Sequence, residues 1–182
     1  MNDGLIPRRY AKALLKYAQE KGQDKQLYAL MKTLTASFAE QPQLSTVMNN
    51  PFIPADSKAQ LLLTASGADN GKDSCFADFI KLLLQNNRIG FAREIALAYL
   101  ILYRKANNIY KVDITSASQL PDDEMKRIKS LIEKHVGGAS VEYNEEVDPD
   151  LIGGFTIGIG SERLDASIKN ELKQLRLKLL SK

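Results

Sequence analysis

The sequence predicts two domains. An all-α six-helix bundle occupies residues 1–107, and a small α+β domain with the order β-α-β-β-α occupies residues 108–182. Three observations carry this reading. Apolar residues recur at helical spacing through the first hundred residues, with short connections between the runs. At Asn107-Asn108 the period changes from that of a helix to that of a strand. The chain then closes on a glycine-rich alternating stretch, LIGGFTIGIGSERLD (Leu151 to Asp165), followed by a leucine-spaced helix.

The first helix has Pro7 at its opening turn and Gly22 as its stop, with Tyr10, Leu14, Tyr17 and Ala18 on one face and Ala11 and Leu15 widening it. The second turns Leu27, Leu30, Met31, Leu34 and Phe38 one way before Pro42. A short third helix carries Leu44, Val47 and Met48. The prolines of NNPFIPAD force a turn, after which Asp56 is expected to cap a fourth helix with Ala59, Leu62 and Leu63 inward. After the polar loop SGADNGKDS, a fifth helix over about Ser74 to Gln85 turns Phe76, Phe79, Ile80 and Leu83 inward. A sixth runs from the NNRIG turn to about Asn107, with Phe91, Ile95, Ala98, Tyr99 and Leu102 inward.

Beyond Asn108, Tyr110, Val112 and Ile114 alternate with Lys111, Asp113 and Thr115 as a half-buried strand. Pro121-Asp122-Asp123-Glu124 opens a helix with acids at its positive end. Met125, Ile128, Leu131, Ile132 and Val136 form its apolar face, and Gly137-Gly138 stops it. A second strand alternates Ala139, Val141, Tyr143 and Val147 with polar residues. Asp148-Pro149-Asp150 then leads into the glycine stretch, and the final helix carries Ile168, Leu172, Leu175 and Leu179.

Composition narrows the function. With 44% hydrophobic and 26% charged residues, a packed core is expected. The one cysteine, Cys75, excludes an internal disulfide framework and fits a reducing compartment. The N-terminal MNDGLIPRRYAKALLKYAQ has no apolar core or cleavage site of a signal peptide. The longest apolar run, Ile95 to Tyr103, is about half the length that spans a bilayer. A soluble protein is expected, with any membrane association made through partners.

The glycine stretch raises the question of a phosphate loop. Counted from Gly158, the G-x-G-x-x-G template places Arg163 where its third glycine belongs. The P-loop template fails as well, because Ile159-Gly160 follows Gly158 in place of lysine and a hydroxyl residue. Phe155, Ile157 and Ile159 instead alternate with Gly154, Thr156, Gly158 and Gly160, a strand with one bulky and one bare face. Glycines within a strand mark a bulge or a close approach of other backbone, and the last helix is the nearest candidate by sequence.

Other candidate chemistry is sparse. His135 has no metal-ligand spacing around it and reads as a surface or helix-end residue. Cys75 at a helix start is opposed by Asp73 and Asp78 and reads as a small, partly buried residue. The acidic run Glu142, Glu145, Glu146, Asp148, Asp150 lacks the spacing of a calcium loop. Arg8, Arg9, Lys12 and Lys16 leave a helical nucleic-acid-binding protein as the alternative, but a net charge of +3 and an acidic second domain argue against it. A small nucleotide-dependent transferase lacks the residues for its loop. Helices one and five carry more apolar surface than one core needs, with Leu82 and Leu84 off the main face of the fifth. Such helices are either deeply buried or serve a second surface, such as a groove for a partner helix.

Three segments together carry a resemblance: LIPRRYAKALLKYA, LLLQNNRI and DPDLIGGFTIGIGSERLDASIKNELKQL. They resemble the delta subunit of bacterial ATP synthase, whose mitochondrial counterpart is the oligomycin sensitivity-conferring protein, over essentially the whole chain. Ala166 stands where that pattern has glycine, and Gly158 where it often has a longer, basic residue. The resemblance implies a non-catalytic peripheral-stalk subunit with no cofactor and no metal, at the cytoplasmic face of the bacterial inner membrane through the complex. It implies that the helical domain takes the N-terminal helix of an alpha subunit between helices one and five, and that the second domain takes the C-terminal region of the b subunit. Motif position assigns Tyr10 and Leu82 to that groove, and helical spacing around them adds Leu14, Tyr17, Phe79 and Asn86. Gly153, Gly154, Phe155, Gly160, Asp165 and Ser167 are the structural residues of the C-terminal motif.

Overall fold

A computed structural model describes residues 4–69, 73–160 and 162–180. The chain divides into two compact units, Met1–Tyr103 and Arg104–Lys182. The helical N-terminal part and the α+β C-terminal region expected from the sequence are both present.

Unit 1 contains α1 (Leu5–Glu20), α2 (Asp24–Glu40), α3 (Gln43–Asn49), α4 (Ala55–Ser66), α5 (Ser74–Gln85), a 3-10 turn (Ile89–Phe91) and most of α6 (Ala92–Ala106). Past α1, Gly22 adopts φ +67°, a left-handed conformation that glycine enters without a Cβ clash. Asp56 does not cap α4. Pro54 holds the cap position without a side-chain hydrogen bond, and Asp56 lies in the first turn, where its charge faces the positive end of the helix. Leu27, Met31, Leu34, Leu62, Phe76, Leu83, Ile95 and Tyr99 are the fully buried centre. Tyr28 stacks on Tyr103 with ring centroids 4.2 Å apart, and Tyr103 lies 6.2 Å from Tyr99. The buried face of α6 is correspondingly rotated from the expected one. Ala92, Ala96, Leu100 and Tyr103 join Ile95 and Tyr99 inside, while Ala98 and Leu102 are only half-buried. An aromatic pair buries more surface than the leucine it displaces from the inner face.

Unit 2 contains β1 (Ile109–Ser116), α7 (Asp122–Val136), β2 (Ser140–Val147), a 3-10 turn (Pro149–Leu151), β3 (Gly154–Ile159), β4 (Glu162–Ser167) and α8 (Ile168–Leu180). The sheet order is β2-β1-β3-β4. β1 and β2 run parallel with Ile109 opposite Ser140, and α7 makes the crossover that a parallel pair requires. β3 pairs antiparallel with β1 and with β4. Val112, Ile114 and Ile157 of the sheet pack with Ile128 and Ile132 of α7 as the core.

Two expectations are corrected here. The order β-α-β-β-α counted three strands, whereas Glu162–Ser167 forms a fourth. It is an edge strand with every residue but Ser167 exposed, so it has no buried face to impose the alternation that reveals a strand. Leu131, placed on the inner face of α7, is 66% exposed, because the apolar stripe of α7 is wider than the sheet beneath it. The side chains of Leu175 and Leu179, expected to continue the stripe of the last helix, lie outside the described residues.

Candidate partner-binding groove

The turns of α1 and α5 bring two apolar rows together. Residues 10, 14 and 17 recur on one face of α1, residues 79 and 82 on one face of α5, and Asn86 follows one turn on as the C-cap of α5. Leu14 and Phe79 are buried and form a floor. Tyr10, Ala13, Tyr17, Asp78 and Leu82 complete a cavity of about 250 Å³ around it. A second cavity of about 400 Å³ shares Tyr10, Ala13 and Leu82 and extends past Ile6, Arg9, Asn86 and Arg88. The structure therefore assembles all six residues selected from the sequence along one trough. Leu82, at 44% exposure, presents an apolar edge to solvent.

The trough is pinned at one end. The Tyr17 hydroxyl donates to Asp78 Oδ2 at 2.8 Å, and this hydrogen bond raises the phenol's pKa above its ordinary value. Sequence reasoning missed Asp78, Ala13, Arg9 and Arg88. Ala13 matters because a small side chain beside Tyr10 leaves the trough open. Its signal was an alanine between two large residues on the same face. Leu84, grouped with Leu82 in the sequence, lines a different surface near α3.

The other candidates separate from this trough. Cys75 is buried, and that burial pushes its thiol pKa up, which keeps it protonated and unreactive. His135 Nε2 lies 3.3 Å from Glu162 Oε2 on the surface of unit 2. Among the described residues no group of three or more His, Cys, Asp or Glu is placed to hold a metal ion.

The C-terminal motif has a structural account. Gly154 adopts φ +77°, and a Cβ there would collide with the backbone carbonyl of Ala166 on β4. A Cβ on Gly153 would lie 2.5 Å from Cδ1 of Ile168, the first residue of α8. At Gly158 the nearest atom is Asp113 O at 3.9 Å, an ordinary contact. The expectation that the last helix packs along the bare face is thus corrected. Along the strand the close approach is confined to Gly154, where the neighbour is the β4 backbone at Ala166 and Ser167, and α8 comes near only at Gly153, just before β3, through the Ile168 side chain. Gly160, φ +59°, follows the last paired residue of β3. Asp165 and Ser167 form the start of α8. Ser167 Oγ donates to Asp165 Oδ1 at 2.6 Å and accepts from Asn170 N at 3.2 Å, a helix N-cap. These bonds from Ser167 hold the Asp165 carboxyl below the usual carboxylate range. Phe155 joins Leu131, Ile159 and Leu164 around an apolar cavity of about 410 Å³, beside His135, Glu162 and Arg163.

The described residues thus present two compact units, each with an open apolar concavity and neither with a cluster of reactive groups. Open apolar concavities of this kind suit a protein that works through its surfaces. Similarity to known proteins agrees with this. The family model for the ATP synthase delta (OSCP) subunit matches residues 6–179. The chain is 36% identical to ATP synthase subunit delta of Phocaeicola vulgatus over 98% of this chain and 96% of that one. It is 37% identical to that of Bacteroides thetaiotaomicron over 100% and 97%, and 34% identical to that of Picosynechococcus over 94% and 91%. A chain in the cryo-EM structure of the Toxoplasma gondii mitochondrial ATP synthase hexamer shares the fold. Its TM-score is 0.73 over 96% of this chain and 97% of that one, at 17% identity. The chain belongs to the ATP synthase delta (OSCP) subunit family, whose place in the complex is a non-catalytic one in the peripheral stalk. The matches lend no support to the nucleic-acid-binding alternative. Among the described residues no helix is long and apolar enough to cross a membrane.

Proposed function

We propose that this chain is the adaptor joining the catalytic head of a proton-translocating ATP synthase to its b-subunit stalk, so that the head resists rotor torque. The helical domain, residues 1–107, receives the N-terminal helix of an alpha subunit in the trough between α1 and α5. The domain of residues 108–182 receives the C-terminal region of the b subunit, and the apolar cavity lined by Leu131, Phe155 and Leu164 is the surface suited to it. The chain works at the cytoplasmic face of the bacterial inner membrane, held there by these partners.

The observation that carries this reading is the trough. A buried floor of Leu14 and Phe79 between the raised edges Tyr10 and Leu82 matches what an amphipathic helix needs to bury its apolar stripe. The mechanism is mechanical. A stator contact must persist through many rotor turns, so slow dissociation counts for more than fast association. Aromatic anchors such as Tyr10 are the residues that supply most interface energy.

Calorimetry with a synthetic alpha N-terminal peptide tests the assignment. Tyr10→Asp is expected to weaken binding by more than about tenfold, since truncating an anchor costs about 2 kcal/mol. The circular dichroism spectrum is expected to stay unchanged, because Tyr10 is only half-buried. Unaltered affinity would remove Tyr10 from the groove. A pull-down from solubilised membranes that recovers neither alpha nor b would overturn the reading as a whole.

A further inference from the structure

Unit 1 carries a second concavity that shares no lining residue with the α1–α5 trough. Its volume is about 850 Å³, which falls in the range of small-molecule sites. The end of α3, the turn through Pro51 and Pro54, the first turn of α4, the end of α5 and the 3-10 turn enclose it. Pro51, Ile53, Leu84 and Phe91 make much of its wall apolar. Gly90 contributes by what it lacks. A Cβ there would lie 2.6 Å from Asn49 Oδ1, so the glycine leaves room for the Asn49 side chain at the end of α3.

One cation is built into this wall. Lys58, on the opening turn of α4, is 8% exposed. Among the described residues no carboxylate lies within 4.0 Å of its ammonium, and no hydrogen-bond acceptor partners it. No buried side-chain nitrogen in the described residues is both sealed from solvent and unpartnered. The Lys58 ammonium therefore keeps some contact with solvent, and Lys58 is one of the residues that line the cavity. Pro54 and Ala55 at the start of α4 also line the cavity, and no side chain caps the helix, so its first N–H groups can meet an anion, against the opposing charge of Asp56 in the same turn. Glu94 is the one carboxylate in the lining, and it opposes multiply charged ligands more than singly charged ones.

We infer that this cavity binds a small amphiphilic carboxylate, with its head on Lys58 and the first turn of α4 and its apolar body along Pro51, Ile53 and Phe91. The inference is independent of the alpha-helix groove.

The test uses the full chain, uniformly labelled with nitrogen-15, and octanoate as the probe. Octanol supplies the tail without the charge, and acetate the charge without the tail. Octanoate is expected to shift the amides of Asn49, Ala55, Lys58 and Gly90 saturably. Octanol and acetate are expected to bind at least about tenfold more weakly, the loss that follows when a charged hydrogen-bond partner or the apolar body is absent. Lys58→Met is expected to lose about tenfold in octanoate affinity while Lys58→Arg keeps it within about threefold, because arginine retains the charge. Octanol binding as tightly as octanoate overturns the inference, as do shifts centred on Tyr10 and Leu82. A folded Lys58→Met variant with unchanged octanoate affinity also overturns it. Should that variant not fold, the octanol comparison on the unaltered chain still decides.

Discussion

The two units manage their apolar residues differently. Unit 1 encloses Phe76, Tyr99 and a set of leucines completely and leaves a bounded trough. Unit 2 builds its centre from five aliphatic residues and leaves Leu131, Leu164, Ile152, Ile168 and Leu172 exposed. Exposed apolar surface on that scale marks an interaction face more than a fold in need of packing. Unit 1 exposes large apolar residues as well, Leu5, Phe52 and Ile101 among them, but it has the larger closed interior, so unit 2 has more to gain from a partner.

The strongest test of that contrast is a pair of truncations. Phe76→Ala is expected to destabilise unit 1 by about 3 to 5 kcal/mol, the cost of an aromatic cavity in a closed core. Leu164→Ala is expected to change unit 2 by no more than about 0.5 kcal/mol in the isolated chain. Urea denaturation of the two variants compares them directly, and a large loss at Leu164 would erase the distinction.

Next in size is Gly154→Ala. A side chain there meets both a left-handed backbone and the Ala166 carbonyl, so unit 2 is expected to lose about 2 kcal/mol, with unit 1 unaffected. Resolved unfolding of the two units, followed by amide exchange, separates the effects.

Ser167→Ala removes the cap of α8 and is expected to cost about 1 kcal/mol. The same site carries a pH dependence. The folded-state pKa of Asp165 is depressed, so its contribution is present above the ordinary value of 3.8 and is lost as pH falls through the folded value below it. Acid titration of α8 amides should show this loss in the parent and a weaker one in Ser167→Ala.

An effect of similar size sharpens the description of unit 1. Burial raises the pKa of Tyr99, whose hydroxyl donates to Asp24 O at 3.3 Å. Because the folded pKa is raised, the stability it brings is intact below the ordinary value of 10.0 and declines as pH rises above it. Tyr99→Phe should flatten that alkaline decline and cost about 1 kcal/mol at neutral pH. An alkaline limb unchanged in the variant would assign the decline to other groups.

Much of the trough is legible in the order of residues. Tyr10, Leu14 and Tyr17 share a face because α1 repeats every 3.6 residues, and Phe79 and Leu82 share one on α5 for the same reason, with Asn86 one turn on. The surplus of apolar surface on α1 and α5 points to a second surface. What periodicity does not show is Asp78 closing on Tyr17 across 61 residues of sequence, or which surface Leu84 lines. The glycine stretch is likewise recognisable as a strand and not a phosphate loop. Its division of labour is not, because the collision at Gly154 comes from residues 166 and 167 on a strand that shows no alternation, and the one at Gly153 from Ile168 at the start of α8.

The helical first part, the change of period near Asn107 and the family motif follow from the sequence alone, since all three are local patterns in the order of residues. Packing settles the rest: which apolar residues stay exposed, where β4 pairs, and that Lys58, unpaired among the described residues, stands in the wall of a cavity. Those features depend on what each side chain meets from elsewhere in the chain, and a local pattern carries no record of distant neighbours.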